Sequence, residues 1–137
     1  MDLSDAEAVA RATEGATSVY HCANPLYSQW NELLLPMTRG IVAGVSKSGA
    51  TLVALDNLYM YGDTARMTPD SPVAPRSAKG RLRAEAADLM LGIGARIGRA
   101  ADFFGPDTPL GSVFGERFCR RVLAGKSGES FGDPDQP

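Results

Sequence analysis

Short apolar runs alternate with longer segments of helical period along this chain, and that alternation restricts the fold more than any other feature. Ser18–Ala23 and Thr51–Leu55 are brief, apolar and rich in strand-forming residues, as in strands buried inside a parallel sheet, and Ala95–Ala101 is a third candidate strand. Between the first two, Leu26, Trp30, Leu33, Leu34, Met37, Ile41 and Val45 recur every three or four residues. They form one apolar helical face, which Pro36 should bend and Gly49 should end. Before the third strand, Leu82, Ala86, Leu89, Met90 and Ile93 fall on a second helical stripe. Two further helices are expected. Ser4–Thr13 has Ser4 as its cap, Glu7 completing a capping box and Gly15 closing it. Leu110–Ala124 carries Val113, Phe114, Phe118, Val122 and Leu123 at helical intervals. The segment 62–76, with Pro69, Pro72 and Pro75, shows no periodicity and reads as a loop.

Such alternation predicts an α/β fold, a parallel sheet with helices on both faces. Only three strands are visible, whereas a doubly wound dinucleotide fold uses about six. Gly44 to Gly49 and Gly92 to Gly98 lie within or at the ends of helices, so neither is a phosphate-binding turn between a strand and a helix.

At 137 residues the chain has the size of one domain, and 44% hydrophobic residues suffice for a core. A net charge of −2 argues against a nucleic-acid partner, and no apolar run is long enough for a membrane span. Cys22 and Cys119 have no C-x-x-C partner and read as buried, reduced thiols, which points to a cytoplasmic protein. One histidine, His21, and two distant cysteines do not make a zinc site, and no nucleophile elbow is present.

Several local patterns occur in one order: Val19–Ala23, Thr51–Leu55 opening into Asp56–Gly62, Ala74–Ser77 leading into a helix, and Arg99–Pro106 ending in an aromatic-Gly-Pro corner. This succession resembles the second half of the extended short-chain dehydrogenase/reductase family, the NAD-dependent epimerases and dehydratases that act on nucleotide sugars. The resemblance implies a partial Rossmann-like, doubly wound parallel sheet with flanking helices over 1–124. A polar tail, 125–137, would lead toward a substrate domain. About 60 residues bearing the diphosphate grip would precede this stretch in a complete member, so the chain is expected to be a fragment or a degenerate member.

Functional residues follow by the same resemblance. Asp2 and Leu3 match the pair that touches the adenine of NAD or NADP, Ala23 matches the small residues that lie along the cofactor at the end of the next strand, and Asn24 follows that strand toward the nicotinamide side. In the family a tyrosine and a lysine four residues later handle the proton and the ribose, beside a Ser or Thr on the reacting oxygen. Those places fall here on Ser77, Arg81 and Asn57. Asn57 still offers a hydrogen bond. Arg81 is permanently charged and differently shaped from an ammonium, and Ser77 lacks phenol acidity, so the usual proton relay should be broken. Lys79, two positions from Arg81, should point to another face of the helix. Asp102 matches a position that contacts substrate in the family, and it equally suits capping the turn at Gly105-Pro106. Tyr59 and Tyr61 lie on the strand tip within reach of a cleft where Tyr59 would meet substrate, although packing at the corner is the favoured reading.

Lys79, Arg81 and Arg83 crowd the start of their helix, an arrangement the macrodipole disfavours unless an anion lies nearby. Two functions therefore compete: an atypical NAD(P)-dependent epimerase/dehydratase, and a dinucleotide-binding sensor without turnover. Weak cofactor binding is expected, together with homodimerisation or aggregation through an unpaired strand edge.

Overall fold

The structure is a computed structural model that describes residues 1–103 and 115–128. It divides into two units, Met1–Arg99 and Ala100–Pro137. The boundary expected at 124/125 falls inside the second unit.

The first unit runs α1 (Ala6–Ala12), β1 (Ser18–His21), α2 (Trp30–Ser48), β2 (Thr51–Asp56), α3 (Ala78–Leu91) and β3 (Arg96–Arg99). The strands form a parallel sheet of order β1-β2-β3, in which Ser18 pairs with Thr51 and Val53 with Arg96. Each strand steps to the next in one direction, so both crossover helices lie on the same face. Burial along β2 records that arrangement. Leu52, Ala54 and Asp56 are buried, whereas Thr51 and Leu55 are exposed. Ile41 and Val45 of α2, Met90 of α3 and Val9 of α1 meet Leu52 and Ala54 in one cluster. Tyr20, opposite Val53, is 75% exposed. The expectation of helices on both faces is thus met on one face only within this unit.

Local chemistry explains the boundaries. Gly49 ends α2 in the left-handed conformation (φ 74°) that a Cβ would strain. Pro36 lies inside α2, which continues through it. The first helix is capped by Asp5, whose carboxylate accepts from the Glu7 and Ala8 amides, and not by Ser4. Ser4 instead donates from its amide and hydroxyl to Asp2, each at 2.8 Å. The strands are shorter than expected at both edges of the sheet, because β1 stops at His21 and β3 at Arg99.

Glycines set the packing of the amino-terminal segment. A Cβ on Gly40 would strike the Leu3 carbonyl and approach Ser4 Cα to 2.6 Å, and one on Gly44 would lie 2.6 Å from Val9 Cγ1. These two small residues, one turn apart on α2, let Leu3, Ser4 and α1 lie against the helix backbone.

In the second unit, a π-helical turn (Gly115–Arg120) leads into α4 (Arg121–Leu123). The expected helix Leu110–Ala124 is therefore irregular where it is described, and Leu110–Phe114 lie outside the described residues. Most of the expected tail, 129–137, lies outside them too. Cys22 and Cys119 are both free and exposed, which corrects the expectation of buried thiols. Cys22 follows the end of β1 and Cys119 lies in the π-helical turn, and neither position encloses its side chain. Among the described residues, no helix is long and apolar enough to cross a membrane.

Candidate functional site

Parallel strands place all their carboxyl ends on one side, where open α/β sheets bind ligands. Here His21, Asp56 and Arg99 end β1, β2 and β3 respectively. Asp56 follows Leu52 and Ala54 on the inward face of β2, so strand alternation drives a carboxylate into the protein. Its side chain is 1% exposed and takes two cations: Arg83 Nη1 at 3.4 Å and Arg99 Nε at 3.8 Å. Arg83 also donates from Nη2 to Asn24 Oδ1 at 2.7 Å and lies over the Trp30 ring at 4.0 Å. Arg99 lies 5.5 Å from the centre of the buried Tyr61 ring. Asp56 Oδ2, Arg83 Nε and Arg99 Nε are buried without a hydrogen-bond partner among the described residues.

Arg83 is one turn beyond Lys79, and the two share a helix face. Lys79 donates to the Tyr27 carbonyl and sits over the Tyr27 ring at 3.5 Å and the Trp30 ring at 5.1 Å. Trp30 itself donates to the Pro25 carbonyl at 3.2 Å and packs against Tyr27 and Tyr59. The cations at the start of α3 thus meet aromatic faces, a carbonyl and a carboxylate from neighbouring elements. Burial lowers the Arg83 pKa from its ordinary value, and Asp56 and Tyr59 oppose that shift. Burial also lowers the His21 pKa, reinforced by the nearby Arg83 charge and opposed by Asp56. His21 is therefore a neutral imidazole at pH 7.

Beside this cluster lies an open groove of about 370 Å³, lined by Asp2, Leu3, Ala23 and Asn24 together with apolar Leu33 and Met37. Four residues assigned to cofactor binding by resemblance, from the amino terminus and the end of β1, are brought together here. The Asp2 pKa is lowered by the Ser4 amide and hydroxyl hydrogen bonds, so Asp2 is a carboxylate at pH 7. The groove thus has apolar walls with one carboxylate and one amide. No glycine follows β1 between Cys22 and Leu26, so this turn offers no close backbone approach to a diphosphate.

The remaining assigned residues fall elsewhere. Asn57 accepts from the Tyr59 amide at 3.1 Å, an Asx turn that shapes the tip of β2. Ser77 is the N-cap of α3, and its hydroxyl accepts from the Gly80 amide at 2.9 Å. Arg81 is exposed and donates to the Arg76 carbonyl at 3.4 Å. Tyr59 is half-exposed beside Trp30, whereas Tyr61 is buried at the corner. Asp102 belongs to the second unit.

Sequence reasoning missed Asp56, Arg99 and Trp30, and it marked Arg83 only as one of three cations crowding the start of its helix. A signal for Arg83 was present. Lys79, Arg83, Ala86, Ala87 and Met90 lie on one helical stripe, and Arg81 is about 200° away from Lys79.

No family model and no curated relative matches the chain. Solved structures match its fold. A dTDP-glucose 4,6-dehydratase from Streptomyces venezuelae, solved with NAD, superposes at TM-score 0.77 and 21% identity, over 97% of this chain and 46% of that one. The enzyme WbmG of Bordetella bronchiseptica, in complex with NAD, gives 0.72 at 22% identity over 92% and 44%. A UDP-glucuronic acid 4-epimerase from Bacillus cereus, also with NAD, gives 0.73 at 16% identity over 91% and 45%. The chain therefore has the α/β, Rossmann-like fold of the NAD-dependent epimerase/dehydratase structures, as the resemblance implied. It spans just under half their length.

Proposed function

We propose that the groove at Asp2, Leu3, Ala23 and Asn24 receives the adenosine end of NAD or NADP in an atypical epimerase/dehydratase-like oxidoreductase. The substrate would be a nucleotide sugar or a similar carbonyl compound. One observation carries this reading: two residue pairs separated in sequence, Asp2-Leu3 and Ala23-Asn24, line a single groove beside the carboxyl ends of the strands.

When bound, the nicotinamide would supply hydride acceptance and return. The chain's own residues have narrower roles. Leu3, Leu33 and Met37 give the groove apolar walls, and Asp2 offers a carboxylate to ribose or purine donors. Arg83, stacked on Trp30 and bonded to Asn24, holds the Asn24 side chain in place. Ser77 is engaged as a helix cap, and Arg81 faces solvent, so neither is favoured for proton transfer. That engagement supports a second reading, in which the chain binds dinucleotide without turnover.

Calorimetric titration of NAD into the chain tests the proposal. Without a diphosphate cradle the expected affinity is weak, with Kd of about 1 mM, and Leu3→Glu should abolish it. Binding that is unaffected by Leu3→Glu, or absent altogether, contradicts the groove assignment. Turnover of a sugar nucleotide with bound NAD selects the enzyme, and binding without turnover selects the sensor.

A further inference from the structure

A second cavity, of about 210 Å³, opens beyond the nucleotide groove, lined by Leu58, Tyr61, Met67, Thr68, Ile97 and Arg99 together with Pro69. It lies where the end of β3 meets the tip of β2 and the loop after it. Among the described residues, its charged wall is Arg99. Arg99 Nε is buried with no hydrogen-bond partner among the described residues, and its ion-pair distance to Asp56 is long at 3.8 Å.

Charge in this region does not balance. Two guanidinium groups, Arg83 and Arg99, address the single carboxylate of Asp56, which leaves the cluster with a net charge of +1. Arg83 has further partners in Asn24 and the Trp30 ring. Among the described residues, Arg99 meets a distant oxygen of Asp56 and the face of Tyr61. A largely buried guanidinium whose Nε has no hydrogen-bond partner among the described residues, at the wall of a cavity, is a fork suited to a planar or tetrahedral oxyanion. Thr68 adds a hydroxyl to the same wall, and Leu58, Met67 and Ile97 give it apolar sides.

We infer that this cavity binds an oxyanion, a carboxylate or a phosphate, presented by a small ligand or by one end of a larger one, with Arg99 as the recognising residue. The volume supports that size class, being below the ~300–1,000 Å³ typical of sites that enclose a drug-sized ligand. The inference goes beyond the nucleotide groove and does not depend on it.

The test is thermal shift and calorimetry on the full chain with three probes, inorganic phosphate, glucuronate and neutral glucose, at constant ionic strength set by chloride. At least one of the two anions should bind saturably and glucose should not. A response to phosphate alone, or to glucuronate alone, identifies which oxyanion the site takes. Arg99→Gln should weaken the response by about tenfold to a hundredfold. Met67→Trp, which fills the cavity from its exposed loop, should do the same with Arg99 intact, and it serves if the arginine variant fails to fold. No saturable response to either anion, or a response undiminished in both variants, overturns the inference. NAD binding should be unchanged in Met67→Trp. Loss of anion binding with NAD binding retained would remove this site alone, and the converse would remove the nucleotide groove alone.

Discussion

Asp56→Asn is the substitution whose consequence the structure defines most sharply. The side chain is almost fully buried, and it is the only carboxylate paired with Arg83 and Arg99 among the described residues. At an effective dielectric of about 20, attraction is about 5 kcal/mol for Arg83 at 3.4 Å and about 4 kcal/mol for Arg99 at 3.8 Å. Desolvation of all three groups offsets much of that, so the pairs themselves are only modestly stabilising. Removing the single anion is a different matter, because two cations then stay buried with no counter-charge and repel each other. The expected loss is about 3–5 kcal/mol, a large share of the ~5–15 kcal/mol that holds a domain folded. Urea denaturation followed by circular dichroism measures it, with Glu85→Gln as the control. Glu85 pairs with Arg39 at 2.9 Å, but both side chains are at least half-exposed, so its loss should cost no more than about 1 kcal/mol. Equal small losses in the two variants would show that Asp56 does not neutralise the crevice.

Two further outcomes follow from particular contacts. Gly40→Ala should destabilise the chain by about 1–3 kcal/mol and weaken NAD binding, since the new methyl would displace Leu3 and Ser4 from the groove wall; wild-type stability in the same denaturation assay would contradict this. His21, whose pKa is lowered on folding, binds protons more readily in the unfolded chain, so its contribution is present above pH ~6.5 and is lost as pH falls through the folded value. The melting temperature should therefore decline below pH ~6.5, and His21→Asn should remove part of that decline; identical pH profiles would count against it.

Much of this architecture was legible in the residues. Apolar periodicity located the long helix, since Trp30, Leu34, Ile41 and Val45 are all buried on α2. The apolar run at Thr51–Leu55 gave the central strand. Where the reading went astray, a local rule was overridden by a neighbour in space. Ser4 has the right chemistry for a cap, yet Asp5 stands one residue closer to the first turn and accepts its amides. Arg81 holds the place four residues after Ser77 that the resemblance assigns to the lysine, but the helix turns Arg83 toward Asp56 and leaves Arg81 in solvent. Asp56 read as the start of a polar tip, and only the register of β2 makes it the last inward position of the strand. The groove is the converse case. Resemblance named Asp2, Leu3, Ala23 and Asn24 without a physical reason for their meeting. That reason lies in the close approach at Gly40, which sets Leu3 and Ser4 against α2.

Amide chemical-shift mapping by NMR during an NAD titration is the most direct check on the nucleotide groove. Progressive changes should centre on Asp2, Leu3, Ala23 and Asn24 and extend to Leu33 and Met37. Changes confined to the opposite end of α2, around Glu14 and Lys47, or an unaltered spectrum at several times the ~1 mM expected Kd, would contradict the account.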